Sequence, residues 1–378
     1  VSALNPTSNP PIPQSLPKLL IAASGTGGHL FPAIATAEQL TDFQIEWLGV
    51  PDRLERQLVP DRYSMHTIRV EGFQQRFGIG TLKIFSRLLL SILKVRQLLQ
   101  QGSFQALLTT GGYIAAPSIL AARSLGLPVV LHESNALPGK VTRWLSPFCD
   151  VVAIGFAAAA DRLPRAKTVC VGTPVRSQFR PLANLAMNLP SAQLDLPIPA
   201  DAPLIVVFGG SQGAVGLNKL VRQAASAWFD AGFWVVHLTG ESDPDAQTLS
   251  HPQYFCLPFY DNMAGLLQRA DLAISRAGAG SLTELAVTAT PSILIPYPYA
   301  AEDHQSYNAA IFKAANAALV FQQSELTSDL LESKVLHLLR SPDQLHSMAV
   351  AAGNLATADS AEQLAAIVRQ LVKASVSR

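Results

Sequence analysis

Leu272-Ala273-Ile274-Ser275 is a short apolar run that passes through Arg276, Ala277, Gly278, Ala279 and Gly280 into Ser281-Leu282-Thr283-Glu284-Leu285-Ala286. The pattern is that of a strand, a turn of small residues and the first turns of a helix. Such a unit belongs to layered α/β architecture, where the helix N-terminus lies just beyond the strand's carboxyl end. Free N–H groups and the positive end of the helix dipole would face whatever rests against Gly278 to Ser281, so a phosphate could bind there without a dedicated metal. Glu284, about one turn further in, could accept hydrogen bonds from sugar hydroxyls. The plainer reading is that the glycines only let strand and helix pack closely.

The same grammar occurs twice more. Leu19 to Ala23 leads through Ser24-Gly25-Thr26-Gly27-Gly28-His29 into a helical stretch from Pro32 to Leu40, and Leu204 to Phe208 leads through Gly209-Gly210-Ser211-Gln212-Gly213-Ala214 into another from Leu217 to Phe229. In the first loop Leu30 stands where a dinucleotide fingerprint has its third small residue, which argues against a nicotinamide cofactor. Further strands are expected at Ile45–Val50, Met65–Val70, Ala106–Thr110, Pro128–Asn135, from Val151, and at Trp234–Leu238, Tyr254–Phe259 and Pro291–Ile295. A helix is expected from about Ala116 to Leu125, and Asp303 is placed to cap one beginning at His304. The proline-rich stretch Pro181 to Pro203 reads as irregular crossover or linker structure. Two doubly wound halves, each opening on a strand and a glycine loop, would face one another across a cleft, a default ligand site.

With 49% hydrophobic but only 15% charged residues, much apolar surface must be buried or face something other than water. A net charge of +1 argues against a general nucleic-acid binder. Cys149, Cys170 and Cys256 share no metal-ligand spacing and read as buried small hydrophobes in a reducing compartment. Val1 to Lys18 lacks the basic and apolar regions of a signal peptide and reads as a flexible tail, and no apolar run is long enough to span a membrane. These features point to a cytosolic protein that could still lie on a membrane surface. An amphipathic helix is expected between Leu82 and Leu99. Its apolar positions include Phe85, Leu88, Leu89, Ile92 and Leu93, with Lys83, Arg87 and Lys94 close together on another face. It is either a domain helix with a solvated basic edge or a contact with anionic headgroups.

Glycine loops in both halves suit two anionic ligands, as in an enzyme that moves a sugar from a nucleotide diphosphate to an acceptor. No Asp-x-Asp pair ends a strand to hold a divalent ion, so the departing diphosphate would be stabilised by helix N-termini near Ser211 and Gly280. Displacement also needs a base, and His29, just past the first glycine loop, has a suitable ordinary pKa; its alternative roles are an anion contact or loop packing. Pro128 to Asn135 ends in His132, Glu133, Ser134 and Asn135, of which Asn135 is the better ligand contact, while His132 and Glu133 would orient the loop.

Ser24 to Pro32, Gly111-Gly112-Tyr113, His132 to Asn135, Gly209 to Ala214, Arg276 to Glu284 and Asp303 to Ala309, in that order, together resemble the MurG family. These are GT-B glycosyltransferases that pass N-acetylglucosamine from UDP-N-acetylglucosamine to the muramyl-pentapeptide of undecaprenyl-pyrophosphoryl-MurNAc-pentapeptide. The resemblance implies a GT-B fold of two Rossmann-like domains. An N-terminal acceptor and membrane domain would comprise 18–175 plus 360–378, a C-terminal donor domain 176–359, and a tail 1–17. It implies an inverting β1,4 transfer with His29 as candidate base, and no cofactor or metal. Donor contacts would come from Ser211 at the diphosphate, Arg176 beside the nucleotide and the Tyr260 backbone at the uracil, where Tyr260 replaces a more usual aliphatic residue. Ala279, Gly280, Ser281, Leu282, Thr283 and Glu284 would wrap ribose and phosphate, and Gln305 would read the sugar hydroxyls. Thr26, Gly27, Gly28 and Asn135 would lie near the donor sugar, with Gly25, His29 and Tyr113 on the acceptor side. The family's peripheral docking on the cytoplasmic face of the inner membrane implies that Lys83, Phe85, Arg87, Leu88, Leu89, Ile92 and Lys94 meet anionic lipid, with Arg76 and Arg143 as companions. Rival readings are another UDP-sugar enzyme, such as a diacylglycerol transferase or an epimerase, and a non-catalytic nucleotide-sugar sensor.

Overall fold

Strands buried on both faces need unbroken apolar runs, and the computed structural model of the chain has two parallel sheets whose central strands are such runs. It describes residues 16–51, 54–70, 79–179, 194–210 and 213–376, without the side chains of 79–85 and 376. The tail expectation for Val1 to Lys18 falls mostly outside these residues, as do Arg76 and most of the Pro181–Pro203 linker.

The first sheet comprises β1 (Lys18–Ala22), β2 (Gln44–Gly49), β3 (Ser64–Thr67), β4 (Ala106–Thr109), β5 (Val129–Glu133), β6 (Val151–Ile154) and β7 (Thr168–Cys170). Their spatial order is β3-β2-β1-β4-β5-β6-β7, and every pairing is parallel. The second sheet is built from β8 (Leu204–Phe208), β9 (Trp234–Leu238), β10 (Tyr254–Leu257), β11 (Leu272–Ser275), β12 (Ser292–Leu294) and β13 (Ala318–Val320). Here the order is β10-β9-β8-β11-β12-β13, again all parallel. This is the expected pair of doubly wound lobes. Strand order reverses between β1 and β4 and between β8 and β11, and at such reversals the connecting loops part to leave a crevice. The four glycine-bearing loops leave the carboxyl ends of those four strands.

Each sheet is covered on both faces. In the first lobe Leu19, Ile21 and Leu108 pack on one side with Leu30 and Ala33 of the helix Gly27–Ala37, while Leu20, Leu107 and Leu131 face Val95, Leu99 and Ile119 on the other. The last helix, Ser360–Val376, also joins this lobe, burying Leu364, Ala365, Val368 and Val372 against the face that holds Leu19 and Ile21. Arg369 on that helix bonds Asp42 at 2.8 Å and the Gln39 carbonyl at 2.6 Å, so an ion pair fixes the rotation that the apolar stripe selects.

Some local expectations change. Cys170 is exposed because β7 is an edge strand, while Cys149 and Cys256 are half-buried; burial pushes the Cys149 thiol up to about 12. The third strand stops at Thr67, short of Val70. Asp303 stands at the N-cap of His304–Ala314 but in the left-handed region, with φ 56°, and its carboxylate accepts the Ser306 hydroxyl at 2.7 Å instead of a helix N–H. The Leu82–Leu99 helix extends over Ile79–Gln101. Its core face carries Ser91, Val95 and Leu99, whereas Leu89, Leu90 and Leu93 are each at least half exposed.

Candidate active site

The first glycine loop places an imidazole. Thr26 precedes the helix Gly27–Ala37, whose second turn begins near Phe31; a Cβ at Gly27 would come within 2.7 Å of the Phe31 ring, so a side chain there would displace that ring. His29 lies against the backbone of the loop after β4. Its Nδ1 is 2.6 Å from the Thr110 carbonyl, and the Thr110 hydroxyl donates to the His29 carbonyl at 2.8 Å. A carbonyl can only accept, so Nδ1 carries the proton and the neutral ring presents Nε2 as an acceptor. Gly111 and Gly112, with φ of 91° and 75°, form the floor under this ring, and a Cβ on either would sit 3.4–3.5 Å from it. The ring is half-buried and Thr26 and Gly28 beside it are exposed.

The strand after it ends in polar groups with separate tasks. His132 is fully buried, its Nε2 3.0 Å from the Gly172 carbonyl, and burial holds its pKa below the ordinary imidazole value. Glu133 accepts from the Asn135 and Gly139 amides at 3.0 Å each and from the Thr142 hydroxyl at 2.7 Å. Both residues therefore shape the loop, and Asn135 is left half-exposed at its crest.

Across the cleft, β11 hands over to the helix Ala279–Val287 with Gly278 as an N-cap that makes no side-chain cap bond. Helical geometry leaves the N–H groups of Ala279, Gly280 and Ser281 without an intrahelical acceptor. A Cβ at Gly280 would meet no described atom within 4 Å, and one at Gly278 only the Ser281 hydroxyl at 4.0 Å. Close packing of strand and helix does not demand these glycines; they keep the approach to the helix end open. Gly278, Gly280, Ser281, Thr283 and Glu284 all retain exposure, whereas Ala279 and Leu282 are buried. This helix approaches the helix Gly27–Ala37 of the opposite lobe, which brings the two glycine turns to the same boundary between the lobes.

Glu284 and Arg176 form a pair that their separation in sequence concealed. Nη2 and Nε of Arg176 lie 2.7 and 3.0 Å from Glu284 Oε1, and the guanidinium also stacks over Phe31, 4.8 Å from its centroid. Burial raises the Glu284 carboxyl above its ordinary value, with the Arg176 charge pulling the other way. Gln305 accepts from the Ala277 and Tyr297 amides at 3.1 and 2.9 Å, which leaves its NH2 as the group available to a ligand. The Tyr260 hydroxyl accepts the Asp195 amide at 3.2 Å, and its ring packs on the second lobe's core. In the loop after β8, Gly213 has φ 72° and a Cβ there would come 2.4 Å from the Thr239 carbonyl; Ser211 lies outside the described residues.

Two residues of importance were absent from the expected site. Asn308 is fully buried, accepting the Ala136 amide at 2.8 Å and donating to both Asn135 Oδ1 and the Ala277 carbonyl at 3.1 Å, so one side chain joins the lobes. Its position three residues after Gln305 puts it on the same helix side, which was a readable signal. Arg276 is 5% exposed, donating to the Ile295 and Pro296 carbonyls and to Gln323, and burial lowers its pKa to about 10.

On the Ile79–Gln101 helix, Arg87 and Lys94 are exposed beside Leu89, Leu90 and Leu93, and Leu88 and Ile92 are half-buried; Tyr113, after β4, is 43% exposed. The side chains of Lys83 and Phe85 lie outside the described residues. Arg143 is committed across the cleft, 2.7 Å from Glu302. The neighbouring helix Lys140–Leu145 exposes Trp144.

Two family models match the chain: the glycosyltransferase family 28 N-terminal domain over residues 19–154 and its C-terminal domain over residues 204–364. A protein of Nostoc sp. named UDP-N-acetylglucosamine–N-acetylmuramyl-(pentapeptide) pyrophosphoryl-undecaprenol N-acetylglucosamine transferase is 66% identical over 94% of this chain and 98% of its own length. The protein of the same name from Synechocystis sp. is 60% identical over 95% and 98%. Among solved structures, MurG of Acinetobacter baumannii matches with a TM-score of 0.73 and 29% identity, covering 94% of this chain and all of that one. A UDP-N-acetylglucosamine 2-epimerase of Listeria monocytogenes shares the fold, with a TM-score of 0.65 at 14% identity.

Proposed function

The chain belongs to the MurG family within glycosyltransferase family 28, and from that membership we propose how its own residues carry out the family's reaction. The enzyme moves N-acetylglucosamine from UDP-N-acetylglucosamine to the muramyl C4 hydroxyl of undecaprenyl-pyrophosphoryl-MurNAc-pentapeptide, making lipid II from lipid I for peptidoglycan synthesis. In the proposed step the acceptor oxygen attacks the anomeric carbon as the bond to the diphosphate breaks. His29 Nε2 takes the hydroxyl proton, UDP leaves with the bonding pair, and the anomeric centre is inverted. The observation that carries this reading is the tautomer: with Nδ1 committed to the Thr110 carbonyl, the unprotonated nitrogen is the one left for substrate.

The amides at the start of Ala279–Val287 would stabilise the charge that grows on the diphosphate, a role that oriented backbone donors perform without reorganisation. Glu284 would accept from the ribose hydroxyls while Arg176 holds its carboxylate, the Tyr260 backbone would meet the uracil, and the Gln305 NH2 would read the sugar hydroxyls. Ser211 is proposed at the diphosphate. Thr26, Gly27, Gly28 and Asn135 are proposed beside the donor sugar, and Gly25 and Tyr113 beside the acceptor.

No helix among the described residues is long and apolar enough to cross a membrane. We assign membrane contact to the Ile79–Gln101 helix, whose exposed Leu89, Leu90 and Leu93 with Arg87 and Lys94 suit the anionic cytoplasmic face of the inner membrane. Trp144 nearby has the amphipathic ring favoured at that depth. Sedimentation with anionic and with neutral vesicles tests this: Leu89→Glu with Leu93→Glu should release the protein, and equal binding to both lipids would count against it.

A coupled assay of UDP release, with the lipid-linked acceptor and with or without chelator, tests the reaction. Release should require the acceptor and survive chelation. Conversion of UDP-N-acetylglucosamine to a new sugar without acceptor would favour an epimerase, and binding without release a sensor.

A further inference from the structure

Behind the glycine loop that follows β8 lies a buried charged pair that the proposed reaction does not use. Arg222 stands one turn beyond Asn218 on the helix Val215–Asp230, so both side chains leave the same face. Arg222 Nη1 donates to Asp243 Oδ2 at 2.7 Å and Nη2 to Oδ1 at 3.3 Å. Asn218 donates to Oδ2 at 2.7 Å, and the Asp245 amide to Oδ1 at 3.1 Å. The Arg222 side chain keeps 7% of its surface in water and the Asp243 side chain none. Burial works against both charges, but the bonds between them outweigh it, holding the Asp243 carboxyl below and the Arg222 guanidinium above its ordinary value. Apolar side chains of similar size often hold such a place as firmly; what a forked guanidinium–carboxylate contact adds is a fixed direction.

That direction is passed to the backbone. Asn218 also donates to the Thr239 carbonyl at 2.9 Å, just beyond β9, and its own amide bonds the Ala214 carbonyl at 2.9 Å. The Thr239 carbonyl is the wall of the glycine loop: a Cβ at Gly213 would come 2.4 Å from it and 3.0 Å from the Gly240 Cα. Gly213 in turn donates to the Gly210 carbonyl at 3.0 Å, so the glycine loop closes where it meets the loop after β9. We propose that Arg222 and Asp243 are positioning residues for the donor: by holding the loop after β9 they fix, through Asn218, Thr239 and Gly240, the backbone against which the glycine loop after β8 receives the UDP diphosphate. This inference rests on the donor site proposed at that loop. Neither side chain has to touch the ligand. Without the pair, Thr239 and Gly240 lose their fixed place and the glycine loop its template, which weakens UDP binding and leaves His29, on the other lobe, as it was.

The test uses the full chain and UDP itself, whose affinity calorimetry reads without turnover. Arg222→Met and Asp243→Asn should each raise the Kd for UDP and the donor KM at least about fivefold, while the acceptor KM and the kcat at saturating donor stay within about twofold. Arg222→Lys keeps the charge but not the fork, and its Kd should fall between those of the unmodified protein and Arg222→Met. Each variant is measured at a temperature where tryptophan fluorescence shows it folded. A second readout needs no variant: in the unmodified protein, UDP should slow hydrogen exchange across residues 239–245 more than in the helix Ser360–Val376. Unaltered UDP affinity in the folded variants would overturn the proposal, and so would equal losses in donor KM, acceptor KM and kcat, which mark a general loosening. Should no variant fold, exchange across 239–245 that UDP leaves unchanged overturns it alone. If the unmodified protein does not bind UDP, the donor reading itself fails and this inference with it; UDP binding that ignores the pair removes the inference only.

Discussion

His29 shows how much of the proposed catalytic step depends on a neighbour with no reactive group. The Thr110 carbonyl decides which nitrogen is basic, and the positive φ of Gly111 and Gly112 lets the backbone come flat against the ring. His29→Ala should lower kcat by about 10²–10⁴-fold while the donor KM changes little, as for other positioned general bases. Unchanged turnover in that variant would remove His29 as the base. Gly111→Ala tests the support: its φ of 91° penalises any Cβ, and the new methyl would press on His29 Cε1 from 3.4 Å. We expect a loss of kcat larger than any change in donor KM. On the opposite lobe, Glu284→Ala removes a carboxylate and leaves the Arg176 guanidinium without that partner. It should raise the donor KM at least about tenfold with a smaller effect on the acceptor, since hydrogen bonds from ribose hydroxyls to a charged carboxylate are worth about 1.5–3 kcal/mol. Equal donor affinity in Glu284→Ala, measured by calorimetry, would count against a ribose contact.

At the scale of elements, what could be read from the sequence was what a short window holds. The apolar runs of β1, β4, β8 and β11 and the glycines after them are local, and they were enough for two doubly wound lobes. The Arg176–Glu284 pair and the Asn308 bridge join residues more than a hundred positions apart, and no spacing rule reports them. Asp303 stands at the N-cap as expected, but the task of its carboxylate was not legible: a left-handed backbone turns it toward Ser306, and φ is not visible in composition. His237 on β9 is another element whose meaning comes from its surroundings. It is fully buried between the Tyr254 hydroxyl at 2.8 Å and Asn218 Oδ1 at 3.1 Å, and burial lowers its pKa to about 3. The unfolded chain takes up a proton near the ordinary imidazole value of 6.5, but the folded protein does so only near 3. Between those values the unfolded state binds more protons, so stability falls as the pH drops through that window. The denaturation midpoint should therefore decline from pH 7 toward pH 5, by an amount on the order of a few kcal/mol when complete. His237→Gln, which does not titrate, should be less stable at pH 7 but show a shallower decline; an unaltered slope would assign the acid sensitivity to other groups.

The whole molecule depends on how two lobes with separate cores meet. Arg143 reaches Glu302 at 2.7 Å, Arg162 stacks over Tyr307 with 4.9 Å to the ring centroid, and Asn308 bridges Ala136, Asn135 and Ala277. These links differ in what surrounds them. Arg143 and Glu302 keep about a third of their side-chain surface in water, so their attraction is screened and a double-mutant cycle should return only about 0–1 kcal/mol, falling with added salt. Asn308 is sealed from water, and its loss strands the Ala136 N–H, a penalty of about 1–3 kcal/mol. The same side chain holds Asn135 on the loop after β5 and the Ala277 carbonyl just before the glycine turn, so it sets the distance between the two halves of the proposed site. Asn308→Ala should therefore raise the KM for both substrates and lower kcat together, at a temperature where the variant remains folded. Arg143→Ala, from the same interface, should leave all three nearly unchanged. If the two variants behave alike, the buried amide does not register the lobes, and the cleft geometry must be kept by the approach of the helices Gly27–Ala37 and Ala279–Val287.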